Sequence, residues 1–216
     1  MKNLKIIIGI VVAIVIIFLL AKGLYKKNED KVSSNTNQAS ILLIKDNDWV
    51  TGNKDAKVTI VEYLDFECEA CSAYYPLISQ IKDEYKDSIR FSARYFPLPG
   101  HKNSRTSAHA VEAAGKQGKF WEMYSILLTK QSEWGEQQSA NQDLFEKYAV
   151  EAGVNIEQWK KDVTSPEVIK RVEDSYKEAV ALNLQGTPSF FLNGKRIENP
   201  NGYEPFKSLI EKELKK

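Results

Sequence analysis

Cysteine, histidine and methionine each occur only twice in the 216 residues. Two cysteines are too few for a disulfide-stapled secreted scaffold or for a four-cysteine zinc site. Eleven glycines and seven prolines are too few for a linker or a collagen-like chain. Neither sign of charge is in excess: 30 basic residues face 29 acidic ones, a formal charge of +1. That balance excludes a nucleic-acid binder working through a broad basic footprint, and equally a polyanionic surface. Internal repeats and low-complexity tracts are absent. What is there is an ordinary globular composition, 43% hydrophobic and 27% charged, with its apolar residues unevenly spread.

The first 25 residues form a separate object. From Ile6 to Ala21 there is no charge, and Gly9 alone is not apolar; Lys2 and Lys5 precede the run, and Lys22, Lys26 and Lys27 follow it. Leu4 to Leu24 is long enough to cross a hydrocarbon core of about 30 Å, with Lys5 and Lys22 reaching the interfaces. Its Ile, Val, Leu and Phe residues favour insertion by roughly 4 to 8 kcal/mol. Residues 1–27 are therefore expected to be a transmembrane helix that anchors the chain, with a cleaved signal peptide and secretion as the alternative. The run is long for a signal peptide, and Leu20-Ala21-Lys22-Gly23 is a poor cleavage site. The short N-terminus staying in the cytoplasm places the rest outside it. Residues 28–40, rich in Asn, Ser, Gln and Lys, read as a flexible tether.

The remaining residues can bury a sizeable core without staples. Lys57 to Leu64 is β-branched and aromatic and predicts a central strand. After Asp65-Phe66-Glu67 and Cys68-Glu69-Ala70-Cys71, apolar residues at Tyr74, Leu77, Ile78, Ile81 and Tyr85 predict a helix, which Pro76 should kink. Ile89 to Phe96 predicts a second strand, so that strand, helix and strand make one right-handed crossover of a parallel sheet. Residues 102–184 read as helical, with breaks near Gly115–Gly118, Trp134–Ser139, Gly153–Asn155 and Ser165-Pro166. A short strand follows at Pro188–Leu192, then an Asn193-Gly194 hairpin turn, a partner strand at Lys195–Ile197 and an amphipathic helix from Tyr203 to Lys215. Residues 41–101 and 185–216 thus form one α/β domain, interrupted by an inserted α-helical domain at 102–184.

Cys68 and Cys71, directly after a strand and opening a helix, form the constellation with obvious chemistry. At a helix N-terminus the partial positive charge and free N–H groups stabilise a Cys68 thiolate. Cys71, one turn on, is placed to form or resolve a disulfide with it, which is the requirement for thiol–disulfide exchange. A structural disulfide competes weakly, because closing so short a loop removes only ~2 kcal/mol of chain entropy, against nearly 5 for a long one. Zinc needs two more ligands, and His101 and His109 fit no finger spacing. No metal site and no cofactor beyond a redox-active Cys68–Cys71 disulfide is therefore expected; copper held by the two thiols is the rival from another class.

Several segments together resemble the DsbA-like thioredoxin family, the anchored or secreted disulfide oxidoreductases of bacterial envelopes. They are Val58 to Cys68 (VTIVEYLDFEC), Phe96 to His101 (FPLPGH), Gln117 to Tyr124 (QGKFWEMY) and Gly186 to Gly194 (GTPSFFLNG). The resemblance covers almost all of Val58 to Leu214. It implies a thioredoxin fold (βαβ…ββα) with a helical domain inserted, Cys68 as nucleophile and Cys71 as resolving thiol. It also implies that the Thr187-Pro188 bond is cis and that this pair forms the substrate-binding loop, where Thr187 backbone groups can pair with an extended chain. Family members commonly carry Pro, and often His, between the cysteines; here Glu69 and Ala70 stand there. Glu69, a carboxylate beside Cys68, should oppose the thiolate.

Glu62 and Asp65, at the end of the central strand, are further candidates, since a carboxylate buried below such a pair can shuttle protons. Strand alternation alone leaves their side and burial open. His101 is expected to order its proline-rich loop, His109 to be structural, and Phe120, Trp121 and Tyr124 to be helical-domain core. Tyr74 and Tyr75 fit either core packing or apolar surface beside the site. The expected activity is an extracytoplasmic, membrane-tethered thiol–disulfide oxidoreductase, with disulfide donation to unfolded or reduced exported proteins as the favoured direction and reduction or isomerisation as rivals. The expected reoxidant is a membrane quinone-linked thiol oxidase, and no nucleic acid is involved.

Overall fold

The computed structural model describes residues 44–135, 137 and 142–216. The anchor expected at 1–27 and the tether at 28–40 lie outside the described residues. Among the described residues, no helix is long and apolar enough to cross a membrane.

The chain opens with a short strand, β1 (Trp49–Gly52), and continues into β2 (Val58–Leu64). Helix α1 (Glu69–Glu84) follows and runs as one element through Pro76 into β3 (Ile89–Tyr95). Six helices come next: α2 (Ser104–Gly115), α3 (Phe120–Thr129), α4 (Gln131–Trp134), α5 (Gln142–Glu151), α6 (Ile156–Asp162) and α7 (Pro166–Ala181). The chain closes with β4 (Ser189–Leu192), β5 (Lys195–Arg196) and α8 (Tyr203–Leu214). The five strands form one sheet in the order β1-β3-β2-β4-β5. β2 and β3 are parallel, as a strand–helix–strand crossover requires, with Leu64 beside Tyr95. The other neighbours, β1 with β3, β2 with β4 and β4 with β5, are antiparallel. This is a thioredoxin-type α/β fold with a helical insertion.

Alternation along β2 decides which residues serve the site. Ile60 and Leu64 enter a core with Cys71, Ile78 and Ile81 of α1 and Phe206 and Ile210 of α8. Val61 and Tyr63 point the other way, into a smaller cluster with Ala179 of α7, Leu184, Phe96 and Phe191. Glu62, two residues from both Ile60 and Leu64, therefore lies on the α1 side of the sheet.

The helical breaks have local causes. Ser165 accepts from Val168 N at 3.3 Å and Pro166 occupies the first turn of α7, while Asn155 accepts from Gln158 N at 2.9 Å to cap α6. The β4–β5 turn uses Asn193 at φ 49° and Gly194 at φ 74°, the pair of left-handed residues that a two-residue hairpin needs.

β1 was not anticipated from the sequence. It is four residues long, and long-range partners hold it: Trp49 stacks on Phe120 at 5.2 Å between ring centroids and donates Nε1–H to Glu112 Oε2 at 2.7 Å. Its ring lies so close to Gly115 that a Cβ there would stand 2.5 Å from Trp49 Cζ2.

Candidate active site

Cys68 is the N-cap of α1, and its carbonyl accepts from Cys71 N at 3.0 Å and Ser72 N at 3.3 Å. Its side chain is half-buried, whereas Cys71 is buried on the inner face of α1; both thiols are free. The two sulfurs are driven apart electrostatically. A hydrogen bond from Cys71 pulls the Cys68 thiol down to about 5; the Thr187 side chain and the backbone N–H groups of Cys71 and Ala70 add to this against the cost of burial. Burial first, then the bond and charge of Cys68 and the charge of Glu62, push the Cys71 thiol well above its ordinary value.

The loop that the sequence pairs with the cysteines does reach them. The Thr187–Pro188 bond is cis. The Cys68 Sγ lies 3.4 Å from the Thr187 carbonyl oxygen, to which the thiol donates. Asn199 Nδ2 donates to the Pro188 carbonyl at 2.8 Å and Ser189 Oγ to the Gly186 carbonyl at 2.8 Å, so the loop is held from both sides. A cleft of about 600 Å³ runs beside it, bounded by Thr187, Pro188, Arg196 and Glu198.

Glu62 is buried beneath the pair and accepts from Tyr124 O–H at 2.8 Å. Burial pushes its carboxyl up to about 7, against the Tyr124 bond and the charge of Lys82. The Lys82 ammonium sits 4.1 Å from the centroid of Trp121, and burial lowers its proton affinity. Asp65, also buried, serves the turn. Its Oδ1 accepts from Glu67 N at 2.9 Å, and its Oδ2 accepts from Leu98 N at 2.9 Å and contacts His101 Nδ1 at 2.7 Å. Glu69 and Ala70 are exposed to water at the start of α1, which leaves the Glu69 charge screened while groups closer to the sulfur lower the Cys68 thiol.

The structure adds residues that the sequence reading did not single out. Gln131, at the start of α4, donates Nε2–H to the carbonyls of Phe66 at 2.7 Å and Cys68 at 2.9 Å. Buried Glu67 accepts from Asn103 N at 2.6 Å, tying the active-site turn to the start of α2. No local pattern marks Gln131, since its partners lie more than 60 residues away. Lys82 did carry a signal, because it follows Ile78 by four residues and so shares the buried stripe of α1. Phe120 and Tyr124 are core, as anticipated, and Tyr124 has the added task of holding Glu62. Tyr74 bonds the Pro200 carbonyl at 3.0 Å and Tyr75 meets Ser125 at 2.6 Å, so both join packing to polar anchoring.

Paired thiols of opposed acidity at a helix N-terminus, facing a cis-proline loop, are set in a fold that a family model for thioredoxin matches over residues 45–212. The chain belongs to the thioredoxin family. Within it, the structure resembles BdbD from Bacillus subtilis, solved oxidised, with a TM-score of 0.71 and 29% identity over 78% of this chain and 94% of that one. A thioredoxin-like oxidoreductase from Silicibacter pomeroyi DSS-3 gives 0.67 and 27% over 80% and 95%. Wolbachia pipientis alpha-DsbA1 shares the fold at 0.75 and 18% identity, over 82% and 96%. The resemblance to DsbA-like proteins thus holds in three dimensions, at the level of the fold. Among curated proteins it is 41% identical over 158 residues to the Na(+)/H(+) antiporter NhaA 1 of Mycolicibacterium gilvum (strain PYR-GCK), matching 71% of this chain but 24% of that one. The chain thus spans about a quarter of the length of such relatives.

Proposed function

We propose that the protein donates disulfides to exported proteins through Cys68 and Cys71, outside the cytoplasm, with residues 1–27 as its membrane anchor. The observation that carries this reading is the placement of half-buried Cys68 at the N-cap of α1, 3.4 Å from the Thr187 carbonyl, with Cys71 buried one turn on. A thiolate stabilised at Cys68 favours the reduced enzyme, and an enzyme whose reduced form is stabilised is an oxidant.

In the forward direction a substrate thiolate attacks Cys68 Sγ of the disulfide. A substrate–Cys68 bond forms, the Cys68–Cys71 bond breaks, and Cys71 leaves as a thiolate that takes up a proton. Burial of Cys71 favours that protonation, and Glu62 is the buried acid whose charge the Cys71 sulfur feels. A second substrate thiolate then attacks the substrate sulfur of the mixed disulfide. The substrate gains its disulfide, and Cys68 departs as the thiolate that its surroundings favour. Two electrons have passed to the enzyme. Thr187 and Pro188 supply the platform on which the extended substrate lies, next to the Cys68 sulfur.

Cys68 and Cys71 are then both reduced, and a membrane quinone-linked thiol oxidase is the reoxidising partner that suits an anchored enzyme. The exchange needs no metal or organic cofactor. Equilibration with glutathione tests the direction. A potential near about −120 mV supports donation, and one near about −270 mV overturns it in favour of reduction. Cys71→Ser should accumulate mixed disulfides with client chains that already carry a disulfide, because Cys68 attacks that bond, a client thiolate leaves and no resolving thiol remains; Cys68→Ser should form none.

A further inference from the structure

His101 comes from outside the Cys–x–x–Cys helix, on the loop that follows β3, and is nevertheless built into the active-site turn. Phe96 N bonds the Leu64 carbonyl at 2.8 Å and Leu98 N bonds Asp65 Oδ2 at 2.9 Å, fastening the loop to the end of β2. His101 N closes the loop on the Leu98 carbonyl at 3.1 Å, and its Nδ1 meets the same Asp65 oxygen at 2.7 Å. Asp65 is fully buried, and its own backbone carbonyl accepts from Cys68 N at 3.1 Å. One residue therefore fixes both the imidazole and the nucleophile's backbone.

With Nδ1 donating to a buried carboxylate, the ring keeps its second nitrogen for a second proton. Burial opposes the charged ring, but the groups that face it, Asp65, Cys68 and Glu67, are all anionic or able to become so, and together they raise its proton affinity. The imidazole is about one-third exposed, so it lies close enough to the surface to exchange that proton with water.

We infer that His101, held by Asp65, is a positioning residue that keeps a positive charge near the Cys68 sulfur and stabilises the thiolate that leaves at the end of exchange. This rests on Cys68 being the nucleophile. The charge raises the oxidising power of the pair by favouring its reduced form, and speeds release because a more stable thiolate leaves faster. Its location on a different loop lets it act while Glu69 and Ala70 stand between the cysteines.

His101→Asn and His101→Gln each keep a donor for Asp65 and discard the charge. In the intact reduced chain, Cys68 alkylation is followed against pH with the modified residue assigned by mass. The expected result is a midpoint higher than wild type by about half a unit to one unit in both variants. The equilibrium constant for reduction by glutathione should fall about threefold to tenfold, or roughly 15 to 30 mV. The thermal midpoint of the reduced form should drop more than that of the oxidised form. An unchanged alkylation midpoint in folded variants overturns the inference. So does an equal loss of stability in both redox states with an unchanged potential, because His101 is then a loop fastener alone. Should wild-type alkylation fall on Cys71 rather than Cys68, the nucleophile assignment falls and this inference with it.

Discussion

Glu62 shows how one buried side chain ties stability to chemistry. Its proton is held more tightly in the folded protein than in the unfolded chain, because burial disfavours the charge. The folded state therefore loses stability as pH rises from about 4.5 to about 7, and above that range the penalty stays constant. Glu62→Gln, which still accepts from Tyr124, should be more stable than wild type at pH 8 by roughly 3 kcal/mol and equal to it near pH 4. Urea titrations at the two pH values measure the difference. The same variant should exchange disulfides several-fold more slowly near neutral pH, since Cys71 loses its neighbouring acid. Equal stability of the two proteins at pH 8 would show that the carboxyl ionises there without cost.

At the level of elements, the helical insertion supplies hydrogen bonds that the active-site turn does not find within the sheet. Gln131→Leu removes the side-chain donor from the Phe66 and Cys68 carbonyls. It should cost about 1 to 3 kcal/mol in thermal or urea unfolding and slow mixed-disulfide formation, the second effect separating an active-site fault from a general one. β1 depends on a different fit. Gly115→Ala drives a methyl into the Trp49 ring and should destabilise the protein by about 1 to 3 kcal/mol, read from urea midpoints. Hydrogen exchange in that variant should quicken first at Val50 and Thr51, the edge strand the ring secures. These cases also mark where sequence was readable. β2, α1, β3, the helical breaks and the β4–β5 turn follow from local rules: β-branched runs, apolar spacing, Ser-Pro and Asn-Gly. β1 and Gln131 do not, because their partners come from distant parts of the chain. Glu62 fell between the two kinds. Alternation could be written down, but only the packing of α1 on one face and α7 on the other decided which way it points.

For the molecule as a whole, the thiol pair links redox state to folding stability. Folding lowers the Cys68 thiol from 9.0 to about 5, so the reduced protein carries extra stability that is complete above pH 9 and lost as pH falls through about 5. The oxidised protein has no such group. The thermal midpoint of the reduced form minus that of the oxidised form should therefore shrink steadily between pH 9 and pH 5; a difference that stays flat contradicts the acidity assigned to Cys68. Calorimetry on both redox forms across that range makes the comparison.

The end of the sheet at β5 bears on how such a protein survives its surroundings. A protein that handles unfolded chains meets many unpaired strands, each a template for growth along an open edge. β5 offers only two residues, Lys195 and Arg196, and both side chains are exposed and positively charged. A ladder started there runs out of backbone partners almost at once and brings like charges together. That edge is poor ground for fibril growth, which suits the proposed encounter with unfolded chains.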